Sequence, residues 1–211
     1  MMRAHADSDE PRSAAANDAL GGIYLEGSQG VKKNPRKAMD YFMIAGERGY
    51  ASGFNSVGQM YAATQGGCQD FEMAMSYFMR AAQQGCRAAQ YNIGLLHFFG
   101  HGRNRNYVEA VRWYRLAARS MPEAQVNLGN MYRRGLCVRR DDAEAARLYR
   151  LAAQAGQVDA QSNLASCYAL GEGVEKDMPE AVRWCEMAAA QRFEPAEKHL
   201  SELQAKLRGV P

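Results

Sequence analysis

Four histidines and five cysteines are the side chains best suited to chemistry in this 211-residue chain. His97 and His101 stand four residues apart, a spacing that sets two imidazoles on one helical face and could hold a metal ion. Yet His97 falls at a position that is otherwise aromatic in the chain, and His101 follows Gly100. The pair reads as a packing histidine and a loop residue, not a metal centre. Cys68, Cys86, Cys137, Cys167 and Cys185 are odd in number and share no spacing. That argues against a disulfide framework and for reduced thiols in a cytoplasmic compartment. Cys167 and Cys185 fall in the two halves of one segment where they could face each other, so their pairing stays open. No serine elbow of G-x-S-x-G type occurs, and no glycine-rich phosphate loop follows a strand. The expectation is a protein without catalytic residues, metal or cofactor, and not an enzyme.

Charge points to binding. The formal net charge is only +3, too small to demand a nucleic acid. Between Arg87 and Arg150, however, twelve arginines face five acids, a local balance of +7 that leaves −4 for the remainder. A basic centre of this kind suits an anionic partner, most simply an acidic protein segment. With 47% hydrophobic and 23% charged residues the composition is that of a globular chain. No apolar run reaches 18 residues, so membrane insertion is not expected. The opening stretch is polar, carries four acids and lacks the apolar core of a secretory signal. Residues 1–13 are expected to form a disordered tail.

The elements that would position these groups repeat. Tyr24, Tyr61, His97, Tyr132 and Tyr168 follow one another at 37, 36, 35 and 36 residues. Each is preceded at one offset by Leu20-Gly21, Val57-Gly58, Ile93-Gly94, Leu128-Gly129 or Leu164-Ala165. Each is followed by an alanine (Ala38, Ala74, Ala110, Ala145, Ala181), a bulky pair and a small pair. Within a unit, Ala124, Leu128 and Tyr132 share one helical face, and Ala145, Leu148, Tyr149 and Ala152 share another, so every unit predicts two helices. Gly27, Gly100, Gly135 and Gly171 end first helices, and Gly49, Gly85 and Gly156 end second helices. Asn34, Asp70, Asn106, Asp141 and Asp177 are predicted to cap the second helices, and Glu109, Glu144 and Glu180 to complete capping boxes. The mid-helix glycines each cost about 1 kcal/mol relative to alanine. Their recurrence predicts a close approach of two helix backbones.

At these residues the chain resembles the Sel-1-like repeat family, relatives of the tetratricopeptide arrays. Their unit runs roughly A-x3-LG-x2-Y-x2-G-x-GV-x2-D-x2-KA-x2-WY-x-KAA-x2-G, and residues 160–189 read AQSNLASCYALGEGVEKDMPEAVRWCEMAA. The resemblance implies an all-α fold, a right-handed α-solenoid (superhelix) of about five helix pairs. Repeats are expected at about 14–50, 51–86, 87–122, 123–157 and 158–194, followed at 196–211 by a C-terminal capping helix and tail. The loops Thr64-Gln65-Gly66-Gly67-Cys68 and His101-Gly102-Arg103-Asn104 depart from the pattern, either as recognition features or by drift. Some cysteine-rich relatives pair one cysteine couple per unit or are credited with penicillin-binding or β-lactamase activity. Here only the fifth unit could form such a pair, and no nucleophile–base couple accompanies it.

The family likeness further implies a protein–protein interaction scaffold or adaptor whose first helices line a concave groove. The stripe opposite the core then carries Tyr91, Asn92, Leu95, Phe98 and Phe99 in unit three. It carries Val126, Asn127, Asn130, Arg133 and Arg134 in unit four, and Asn163 with Ser162, Ser166, Ala169 and Leu170 in unit five. Asn92, Asn127 and Asn163 form an amide ladder that could hold a peptide backbone or bond neighbouring repeats. Apolar Leu95, Phe98 and Phe99 beside the arginines match the composition of binding anchors. The expected partner is a protein or peptide with acidic and apolar residues. RNA is the alternative, since helical repeats of similar length read RNA, but their signature differs from the one here.

Overall fold

The computed structural model describes residues 13–28, 30–63 and 69–207. The expected tail before Ser13, the loop 64–68 with Cys68, and residues 208–211 lie outside the described residues. Eleven α-helices form among those described, and no strand beyond a single bridge between Ser28 and Val31. The chain is an all-α solenoid of helix pairs, in two compact units divided after Ala89, within α5 (Arg87–Phe99).

The first unit holds α1 (Ala14–Glu26), α2 (Pro35–Glu47), α3 (Ala51–Ala62) and α4 (Phe71–Gln83). Here α1 packs on α2, α2 on α3 and α3 on α4. Ala38, Phe42, Val57 and Met60 form one core cluster there. Tyr24 stacks on Tyr41 and Tyr61 on Tyr77, with ring centroids 5.5 and 5.6 Å apart.

Beyond α5, the second unit holds α6 (Tyr107–Ala117), α7 (Pro122–Arg134), α8 (Asp142–Gln154), α9 (Val158–Leu170), α10 (Met178–Ala190) and α11 (Glu194–Leu207). Here α7 packs on α8, α8 on α9, α9 on α10 and α10 on α11. In register, Ala196-x3-Leu200-Ser201 of α11 matches the Ala-x3-Leu-Gly opening of a first helix. Ala196 and Leu203 of α11 are buried in the cluster that contains Leu164, Trp184 and Cys185.

Local chemistry fixes each pair. All five second-helix caps form: Asn34, Asp70, Asn106, Asp141 and Asp177 accept from first-turn amides. The capping boxes, however, stay half made. Glu109, Glu144 and Glu180 pair with Arg112, Arg147 and Arg183 one turn on. The amide they were expected to take is already bonded: Asn34, Asp70, Asn106, Asp141 and Asp177 donate their backbone N–H to the carbonyls of Tyr24, Tyr61, His97, Tyr132 and Tyr168. This bond closes the loop inside each of the five pairs at its aromatic residue, and it survives the extra residue between Tyr24 and Asn34.

The glycines also resolve differently from the expectation. What faces them is a ring of the partner helix, not a backbone. A Cβ on Gly94 would stand 2.5 Å from Tyr114, and one on Gly129 2.7 Å from Tyr149. Gly21 and Gly58 meet Phe42 and Phe78 in the same way. In unit five the corresponding residues are Ala165 and Cys185, both buried in one cluster, so a smaller partner accompanies the larger first-helix residue.

Candidate functional site

The proposed surface lies on α5, α7 and α9 of the second unit. On α5, Tyr91, Leu95 and Phe98 are half-buried against the cluster of Val111, Tyr114, Leu128 and Met131. The rings of Tyr107 and Tyr114 pack against Phe98. Phe99 remains 59% exposed, set edge-on to Phe98 at 5.1 Å and beside His101. On α7, Val126 leaves the stripe altogether and is buried in the core around α8 and α9.

Two of the amides are bonded within the chain. Asn127 donates from Nδ2 to the Tyr91 phenol at 3.3 Å, joining α7 to α5. Asn130 accepts the Tyr149 hydroxyl at 2.7 Å, joining α7 to α8. Asn127 therefore bonds two neighbouring repeats, whereas Asn130 bonds the two helices of its own repeat. Asn92 and Asn163 are half-buried. Burial pushes the Tyr149 phenol up to about 12, outweighing the nearby positive charge of Arg133 and Arg134. Burial likewise raises Tyr91, with its Asn127 bond opposing. Arg134 is exposed and Arg133 half-buried.

The structure brings Phe98, Asn127, Asn130 and Arg134 together around one cleft of about 170 Å³, with Met131 and Leu136 completing it. Tyr91 and Leu95 do not line it. Asn163 and Arg133 do not line it. Sequence reasoning missed a second group of contacts, in which arginines of second helices reach the aromatic residue of the following first helix. Arg115 bonds the Tyr132 hydroxyl at 2.8 Å, and Arg150 bonds that of Tyr168 at 3.0 Å. Both guanidinium groups lie 5.8 Å from the ring centroid they serve. The signal was present as an arginine 17 or 18 residues before each tyrosine.

Of the residues singled out for chemistry, His97, Cys167 and Cys185 are buried. His97 is buried, and burial, with Arg103 nearby, lowers its pKa against the opposing pull of Glu109. The thiols of Cys86, Cys137, Cys167 and Cys185 are free. Burial pushes Cys167 up to about 11, far from a reactive thiolate, while Cys185 donates to the Ala196 carbonyl at 3.3 Å. No group of three or more potential metal ligands occurs among the described residues. No helix among them is long and apolar enough to cross a membrane.

The family model described as Sel1 repeat matches residues 14–50, 58–86, 87–120, 122–157 and 158–193. A Sel1 repeat protein from Oxalobacter formigenes is 32% identical over 90% of this chain and 75% of its own, with a TM-score of 0.79. A protective antigen of uropathogenic Escherichia coli displaying an SLR fold is 31% identical, with a TM-score of 0.84. That match covers 92% of this chain but 41% of the antigen. An immunity protein from Pseudomonas aeruginosa shares the fold at 19% identity, with a TM-score of 0.58, over 84% of this chain and 68% of its own. No curated protein matches the chain.

Proposed function

The chain belongs to the Sel1 repeat family, and from that premise we propose that it is a non-catalytic adaptor that grips a protein segment on its first-helix face. Proteins of this family are generally interaction scaffolds. The observation that carries the reading is the combination of an exposed aromatic residue with a cation that enters no ion pair among the described residues. Phe99 projects beside Phe98, and Arg134 rims the cleft that Phe98 and Met131 wall with apolar surface. Aromatic and arginine side chains dominate binding hot spots, so a segment with an apolar anchor next to a carboxylate would engage both. Arg133 adds charge on the same helix turn. The free thiols suit the cytoplasmic setting this reading assigns.

Affinity capture with crosslinking from the native source identifies the partner, and calorimetry on purified proteins then tests the surface. Phe99→Ala and the double change Arg133→Ala/Arg134→Ala are each expected to weaken binding at least about tenfold with helicity unchanged. Glu26→Ala, exposed at the end of α1, is expected to leave binding alone. Variants that bind like the parent chain would move the site off this face.

A further inference from the structure

The cleft between α5 and α7 has a counterpart two repeats along. Advancing by two repeats carries Phe98 onto Ala169, Phe99 onto Leu170, Met131 onto Leu203 and Arg134 onto Lys206. Ala169, Leu170, Leu203 and Lys206 all line a cleft of about 400 Å³ between α9 and α11. Each cleft thus has an apolar wall, Phe98 with Met131 in one and Leu170 with Leu203 in the other. Each is rimmed by a cation from the last turn of its second wall, Arg134 of α7 and Lys206 of α11. The second cleft adds Lys176 and His199. No carboxylate lines either one, and Arg134, Lys176 and Lys206 enter no ion pair among the described residues. Phe99 and Leu170, at equivalent positions, are 59% and 66% exposed.

We propose that the two clefts bind one acidic protein segment together, each taking an apolar side chain while its cation pairs with a neighbouring carboxylate. The charge indicates the kind of occupant: two slots with apolar walls and no charged lining residue but cations favour anchors flanked by Asp or Glu and reject basic segments. The repeat settles the spacing. Packed helices lie about 8–10 Å apart, so two first-helix steps separate the clefts by on the order of 20 Å. An extended chain rising about 3.3 Å per residue spans that distance in about six residues. Arg133 and Asn163 stand on the intervening helices, where the acidic middle of such a segment would pass. Two linked anchors raise affinity through effective concentration, without any new contact. This inference rests on the groove reading and extends it from one cleft to two.

A phage-displayed library of random dodecapeptides, selected on the full chain, is the test. Enriched peptides should carry two apolar residues about six positions apart, each next to an acid. A synthetic copy of the best one should bind at least about tenfold tighter than either half of it. Lys206→Ala and Arg134→Ala should each bring it close to the affinity of a half-peptide, with circular dichroism unchanged. Enriched peptides with a single anchor, weakened by Phe99→Ala but indifferent to Lys206→Ala, would overturn the paired clefts and leave the groove reading standing. Peptides indifferent to Phe99→Ala and to Arg133→Ala/Arg134→Ala, or no enrichment at all, would overturn both.

Discussion

At the residue scale, the glycine inside each first helix shows how packing overrides propensity. Alanine is favoured over glycine in a helix by about 1 kcal/mol, so propensity alone predicts that Gly129→Ala stabilises. The ring of Tyr149 occupies that space and is fully buried. Overpacking of this kind costs about 1–3 kcal/mol, so Gly129→Ala is expected to lower the thermal midpoint. Unit five supplies the complementary case, since Ala165 is matched there by Cys185. Cys185→Tyr alone should destabilise, and adding Ala165→Gly should recover much of the loss. Thermal denaturation of the two single variants and the double variant measures this coupling. Additive losses would mean that ring and glycine do not share one space.

At the element scale, the loop-closing bond and the terminal helix carry the weight. Each second helix begins where its cap side chain and its cap amide are both satisfied, the one by the first turn and the other by the aromatic residue of the helix before. That second bond explains the even spacing of nine residues from aromatic to cap in four of the five units. The helix α11 repeats the opening of a first helix, but Ser201 and Gln204 stand where the glycine and the tyrosine would be. Gln204 turns to Glu186 of α10. The helix also buries Ala196 and Leu203, and its Ala196 carbonyl accepts from Cys185. Deleting residues 194–211 is therefore expected to expose the apolar cluster around Trp184 and Leu164. A lower midpoint and increased aggregation in light scattering would follow. Unchanged stability would deny α11 a capping role.

At the scale of the whole molecule, the sign and placement of charge decide how a partner arrives. The segment from Arg87 to Arg150 carries a balance of +7 in a chain whose total is +3. Rim cations act mainly on the encounter, so association with an acidic segment is expected to slow severalfold between about 50 and 300 mM salt. Dissociation, governed by apolar anchors, should change little. Stopped-flow binding at several salt concentrations separates the two rates. A single-stranded RNA oligomer that bound more tightly than the peptide, with a steep salt slope, would favour the phosphate-binding alternative.

The sequence by itself determined the repeat, the helix pairs, the caps and the left-handed glycines, because each is written in a few neighbouring residues or in their recurrence. The backbone of Gly100, Gly135 and Gly171 has positive φ, as local turn chemistry requires. The tertiary structure alone decided which groove residues stay free to meet a partner. Asn127 and Asn130 look alike in sequence, yet each is bonded to a tyrosine 36 or 19 residues away. Phe98 and Phe99 are neighbours, yet one is packed by α6 and the other faces outward. Helical periodicity says which face a residue lies on. How far the next helix covers that face depends on the side chains of that other helix, which no local pattern encodes.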